Sequence, residues 1–152
     1  MKPQQLRDVV TWSVDYHASL AGEYHSLAAG TEDQRLKLIL DYLATHEKEI
    51  EKGLRDYLQT APPNVLGTWS RSGPSLPQPA LLEDLKSCLC CTSVAEITDL
   101  AIKIHSNLGD MYDQLVQCAE MDGQRELLEA LRDHESAETR RMVRDIGRFE
   151  TC

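Results

Sequence analysis

The sequence predicts an all-α fold, a four-helix bundle built from two antiparallel helical hairpins joined by one long connection. Three observations predict it: four stripes of apolar residues at helical spacing, a break in all periodicity over residues 61–79, and a near-match of the chain to itself when shifted by 88 residues. Composition agrees. Aromatic residues are 5% of the 152, and leucine, alanine, glutamate and arginine outnumber the β-branched residues that favour strands.

In the first hairpin, about residues 3–59, Pro3 suits a first helical position. A stripe follows: Leu6, Val10, His17, Leu20, Tyr24 and Leu27. Gly30 is expected to end this helix as a C-cap glycine, and Thr31 with Gln34 to open the next as a capping box. The second stripe is Leu36, Leu40, Leu43, Glu47, Ile50, Leu54 and Tyr57. Each helix should reach ~40 Å, and the short turn makes the pair antiparallel.

Residues 61–92 carry Pro62, Pro63, Gly67, Gly73, Pro74, Pro77 and Pro79, which cannot form helix interior. A short helix is expected from Pro79 to about Cys91. The second hairpin occupies about residues 93–148. Ser93 and Glu96 suggest another capping box, followed by Val94, Ile97, Ala101, His105, Leu108, Tyr112 and Leu115. A turn at Met121-Asp122-Gly123 leads to Leu128, Leu131, Glu135, Glu138 and Met142.

With the 88-residue shift, His17 falls on His105, Leu20 on Leu108, Tyr24 on Tyr112, Leu40 on Leu128, His46 on His134 and Glu47 on Glu135. One hairpin cannot bury its stripe alone, whereas two can bury theirs against each other. The long connection after the second helix is the mark of ferritin-like bundles, in which a crossover joins helices two and three. The whole chain, 1–152, is expected to be one such domain.

Four stripe positions are not apolar: His17, Glu47, His105 and Glu135. Counted from the turns, all four lie ~22 Å along their helices, so they should share one layer at mid-bundle. His46 and His134 flank it, each one residue before a core glutamate. Buried carboxylates and imidazoles must be paired or metal-bound. Two chemistries suit the set: a divalent metal held by nitrogen and oxygen ligands (iron, manganese or zinc), or a closed layer in which each histidine donates to a glutamate. A third arrangement leaves His46 and His134 exposed with no joint role.

These residues carry a family resemblance. The hairpins resemble the rubrerythrin branch of ferritin-like proteins over almost the whole chain outside the crossover. Leu43-Ala44-Thr45-His46-Glu47-Lys48-Glu49-Ile50 and Leu131-Arg132-Asp133-His134-Glu135 stand where that family places its Glu-x-x-His ligands. His17 with Tyr24, and His105 with Tyr112, resemble its pattern of a ligand followed by an aromatic seven residues later. The resemblance implies a metal centre, with iron oxidation, peroxide reduction or oxygen activation as the associated chemistry, and His17, His46, Glu47, His105, His134 and Glu135 as its candidate ligands. The match departs from the family at four positions. Three residues after Glu47 stands Ile50, and three after Glu135 stands Glu138; His17 and His105 replace the family's usual glutamates.

The remaining features point to bland roles. Cys88, Cys90 and Cys91 lack a second Cys/His pair at zinc-site spacing and read as reduced thiols, with Cys118 and Cys152 unpaired. Arg140, Arg141, Arg144 and Arg148 suit a helix C-terminus. Trp69 is expected to plug the bundle. A net charge of −9 disfavours nucleic acid and anionic membrane. No apolar run reaches a membrane span, and no signal-like stretch follows the N-terminus, so a cytoplasmic homodimer is expected. The alternative to a metal protein is a non-catalytic bundle that serves as a dimerisation or protein-interaction module.

Overall fold

The computed structural model describes residues 5–68 and 93–150. The expected Pro3 start, the helix at Pro79–Cys91, the Trp69 plug and Cys88, Cys90, Cys91 and Cys152 lie outside them. Among the described residues there is no strand. The helices are α1 (Leu6–Gly30), α2 (Gln34–Thr60), the single turn α3 (Pro63–Leu66), α4 (Val94–Cys118) and α5 (Asp122–Glu150).

Local chemistry sets the helix ends, partly otherwise than expected. At the start of α1 the Gln5 amide donates to Asp8 Oδ2 at 2.8 Å. Thr31 and Gln34 do not form the expected capping box. Asp33 is the N-cap of α2, its Oδ1 accepting from the amides of Arg35 at 3.0 Å and Leu36 at 3.3 Å. Thr31 Oγ1 instead accepts from the Asp33 amide, tightening the turn. Gly30 is the last residue of α1, and no glycine among the described residues has positive φ, so its expected left-handed cap is absent. Ser93 Oγ accepts from the Glu96 amide, as expected of an N-cap. The second turn is Ala119–Met121, and Gly123 lies inside α5.

The apolar stripes form one core. Leu20, Ile39, Leu40, Leu43, Ile97, Ile104, Met142 and Ile146 are fully buried, layered above and below the polar residues at mid-length. Each buried side chain of this size contributes roughly 1.5–3 kcal/mol of transfer free energy.

Contacts at the two ends fix the topology. At one end the Leu6 amide donates to the Thr68 carbonyl, which places the start of α1 beside the chain leaving α2. A side chain added at Gly123 would begin 3.8 Å from Val65 Cγ2, and a crevice there is lined by Leu6, Val9, Leu115, Ala119, Gln124 and Leu128. The α4–α5 turn is therefore at this same end. At the other end Arg35 Nη2 donates to the Phe149 carbonyl, and Tyr42 donates to Asp145. So α4 starts at the end opposite to where α2 finishes, and the two run parallel. Thr68 and Ser93 therefore lie at opposite ends of the bundle. That is the ferritin-like connection.

Candidate functional site

His17, Glu47, His105 and Glu135 come from the middles of α1, α2, α4 and α5, and none is more than 2% exposed. They close a ring. His17 Nδ1 lies 2.5 Å from Glu47 Oε2, and His17 Nε2 lies 2.9 Å from Glu135 Oε1. His105 Nδ1 lies 2.8 Å from Glu135 Oε2, and His105 Nε2 lies 2.6 Å from Glu47 Oε1. Both nitrogens of each imidazole and both oxygens of each carboxylate are used once.

Four hydrogens fill the four bonds, either with both imidazoles doubly protonated between two carboxylates or with neutral imidazoles and carboxyl groups each donating once. The direction in which each group is shifted favours the first arrangement, two positive imidazoles balanced by two negative carboxylates. Burial pulls the His17 pKa down, but the Glu47 charge and the bonds to both carboxylates outweigh it and push it up to about 9. His105 is raised well above the ordinary histidine range by the same opponents. Burial would raise the glutamates. The His105 and His17 charges and bonds instead hold Glu47 far below the carboxylate range and Glu135 down to about 2.

Tyrosines surround the ring. Tyr16 sits edge-on to His17 and stacks on Trp12 with centroids 5.0 Å apart; burial and the two glutamate charges push it up to about 12. Tyr112 donates to Ser13 Oγ, which donates in turn to the Val9 carbonyl. The Tyr24 hydroxyl is equally buried and has no hydrogen-bond partner among the described residues.

The flanking histidines part company. His46 is buried, stacked under Tyr42 and edge-on to His105 at 6.0 Å. Its Nε2 lies 3.3 Å from Glu138 Oε2 without hydrogen-bond alignment. Burial holds its pKa below the ordinary value, against the Glu47 and Glu138 charges. The side chain of His134 is 50% exposed, with Nε2 3.7 Å from Glu138 Oε1. Arg141 Nη1 is 3.4 Å from that same oxygen. Glu138 is thus the flank's organising acid, a role the sequence hinted at only through the His-x-x-x-Glu spacing of His134 and Glu138.

A divalent metal needs nitrogen lone pairs and ligands converging at ~2.0–2.2 Å. Here both nitrogens of His17 and of His105 are committed to carboxylate oxygens, and these donors pair off around a circle rather than toward a point. Among the described residues no group of three or more His, Cys, Asp or Glu is placed to hold a metal. As arranged, the six candidate ligands do not fit one.

No protein-family model and no curated protein matches the sequence. A solved structure does resemble the fold. A Thermotoga maritima protein described as a ferritin-like diiron-carboxylate protein matches with a TM-score of 0.60 and 14% identity, over 95% of each chain. At that identity the likeness concerns the fold, which is ferritin-like. Among the described residues no helix is long and apolar enough to cross a membrane.

Proposed function

We propose that this chain is a ferritin-like bundle that works without a resident metal, as a protein-interaction module whose polar layer is structural. The closed ring carries this reading: its four bonds, 2.5–2.9 Å long, occupy both nitrogens of His17 and His105 and all four carboxylate oxygens of Glu47 and Glu135. No nucleophile–base pair or phosphate loop is visible in the sequence, so hydrolase or kinase chemistry has no support there. A homodimer is the expected assembly. The test is elemental analysis of untagged protein purified without added metal, together with light scattering. Substoichiometric metal and a mass near twice 17.1 kDa are expected. Stoichiometric iron, manganese or zinc would overturn the first half, and a monomer at micromolar concentration the second.

A second reading is a metal-handling protein with oxidase- or peroxidase-type chemistry, and a single observation favours it. The fold resembles that of a protein described as diiron-carboxylate, and this chain places two glutamates and two histidines at the bundle centre. When bound, the metal would supply redox chemistry. Glu47 and Glu135 would be its carboxylate ligands, and His17 and His105 would each have to give up a hydrogen bond to expose a nitrogen. The same elemental analysis decides between the two.

A further inference from the structure

Ferritin-like di-metal centres use one glutamate from each of two helices and a Glu-x-x-His pair from each of the other two. This chain keeps the glutamates of the pairs, Glu47 on α2 and Glu135 on α5. Every other position differs. His17 and His105 stand on the two helices that would give a lone glutamate. Ile50 and Glu138 stand three residues after the retained glutamates. Ile50 is buried hydrocarbon at a ligand position, and Glu138 turns to His46 and Arg141 on the flank.

The charges balance in a specific way. Four carboxylates against two divalent cations sum to zero. Two carboxylates against two doubly hydrogen-bonded imidazoles also sum to zero. Exchanging glutamate for histidine at positions 17 and 105 changes the protein's own charge by +4, which is the charge of the two cations.

We infer that the ring is an internal replacement for a two-metal centre: the imidazoles of His17 and His105, each bridging Glu47 and Glu135 through both nitrogens, take the place between those carboxylates that two divalent cations would otherwise take. The four bonds hold the helices at one height without an ion, and Ile50 closes the space a ligand would need. This rests on the metal-independent reading above.

The experiment uses the full chain and divalent zinc or manganese alone as the probe. In the variant H17E/I50H/H105E/E138H, about two ions per chain should be retained after desalting, and wild type should retain none. A folded quadruple variant that retains no more than wild type overturns the inference while leaving the metal-independent reading intact. Wild type that itself retains stoichiometric metal overturns both. Should the quadruple variant not fold without metal, a simpler one keeps the test. In H17Q/H105Q the two carboxylates lose their counter-charge, so millimolar zinc or manganese should raise its thermal midpoint by about 5 °C or more and leave wild type unmoved. Equal response of the two proteins, or none from the variant, overturns the inference. Adding E47Q/E135Q to that variant should abolish the response; persistence would place the binding elsewhere and likewise overturn it.

Discussion

The Tyr112 hydroxyl lies 2.5 Å from Ser13 Oγ, a buried bond that ties α4 to α1. Eighty-eight residues before Tyr112 stands Tyr24, and 88 after Ser13 stands Ala101. Ala101 is fully buried and its side chain offers no oxygen, and the buried Tyr24 hydroxyl has no partner among the described residues. Ala101→Ser should therefore stabilise the bundle by about 0.5–1.5 kcal/mol, and Ser13→Ala should destabilise it by about 1–3 kcal/mol. Urea denaturation measures both. A destabilising Ala101→Ser would show that the two tyrosine environments are not counterparts.

Breaking the ring at one point should be worse than removing it. Glu47→Gln leaves buried positive charge uncompensated and should cost roughly 3–5 kcal/mol, whereas replacing all four members by apolar residues of similar volume should be near neutral. The comparison is made by chemical denaturation of both variants. Similar losses for the single and quadruple changes would sink the closed-ring description.

The ring also fixes a pH profile. His17 and His105 have folded pKa values raised above the ordinary ~6.5, so their stabilisation is complete below pH ~6.5 and is lost as pH rises, for His17 through about 9. Glu47 and Glu135 are depressed, so theirs is complete above pH ~4.5 and lost as pH falls, for Glu135 toward about 2. His46, lowered in the fold, runs against the other histidines and costs stability as pH drops below ~6.5. Between pH 7 and 9 stability should fall, on the order of 1 kcal/mol per pH unit from His17, with His105 acting in the same direction. A free energy of unfolding that rises over this interval would contradict the charged ring.

At the helix starts, Asp33→Ala should cost about 1 kcal/mol by stripping the α2 N-cap, and Thr31→Ala clearly less. Thermal midpoints rank the two. The reverse order would restore Thr31 as the cap.

Much of the site was legible because helical period and distance from a turn are local quantities. Those two numbers brought His17, Glu47, His105 and Glu135 to one layer. Which side of a helix its neighbours cover is not local, and there sequence reasoning stops. His46 and His134 have the same His-Glu setting, yet one is buried and the other half-exposed. The partners explain it. His46 meets Tyr42 and Glu138, whereas the positions related by the 88-residue shift are Ala130 and Ile50, which offer neither ring nor acceptor. Asp33 was missed for a simpler reason: Thr31 also fitted a cap pattern, and only turn geometry chooses between them.

The ring has a consequence for assembly of the fold itself. His17–Glu47 and His105–Glu135 each join residues 30 apart within one hairpin, while the closing bonds join residues 58 and 118 apart. Each hairpin can thus form half the ring early, leaving one N–H and one oxygen waiting. Two smooth leucine faces could slide past each other by one turn, ~5.4 Å, and still be greasy. With the half-rings in place, such a slip would strand four charged groups in hydrocarbon. The layer therefore acts as a vernier on hairpin docking, rejecting every alignment but one.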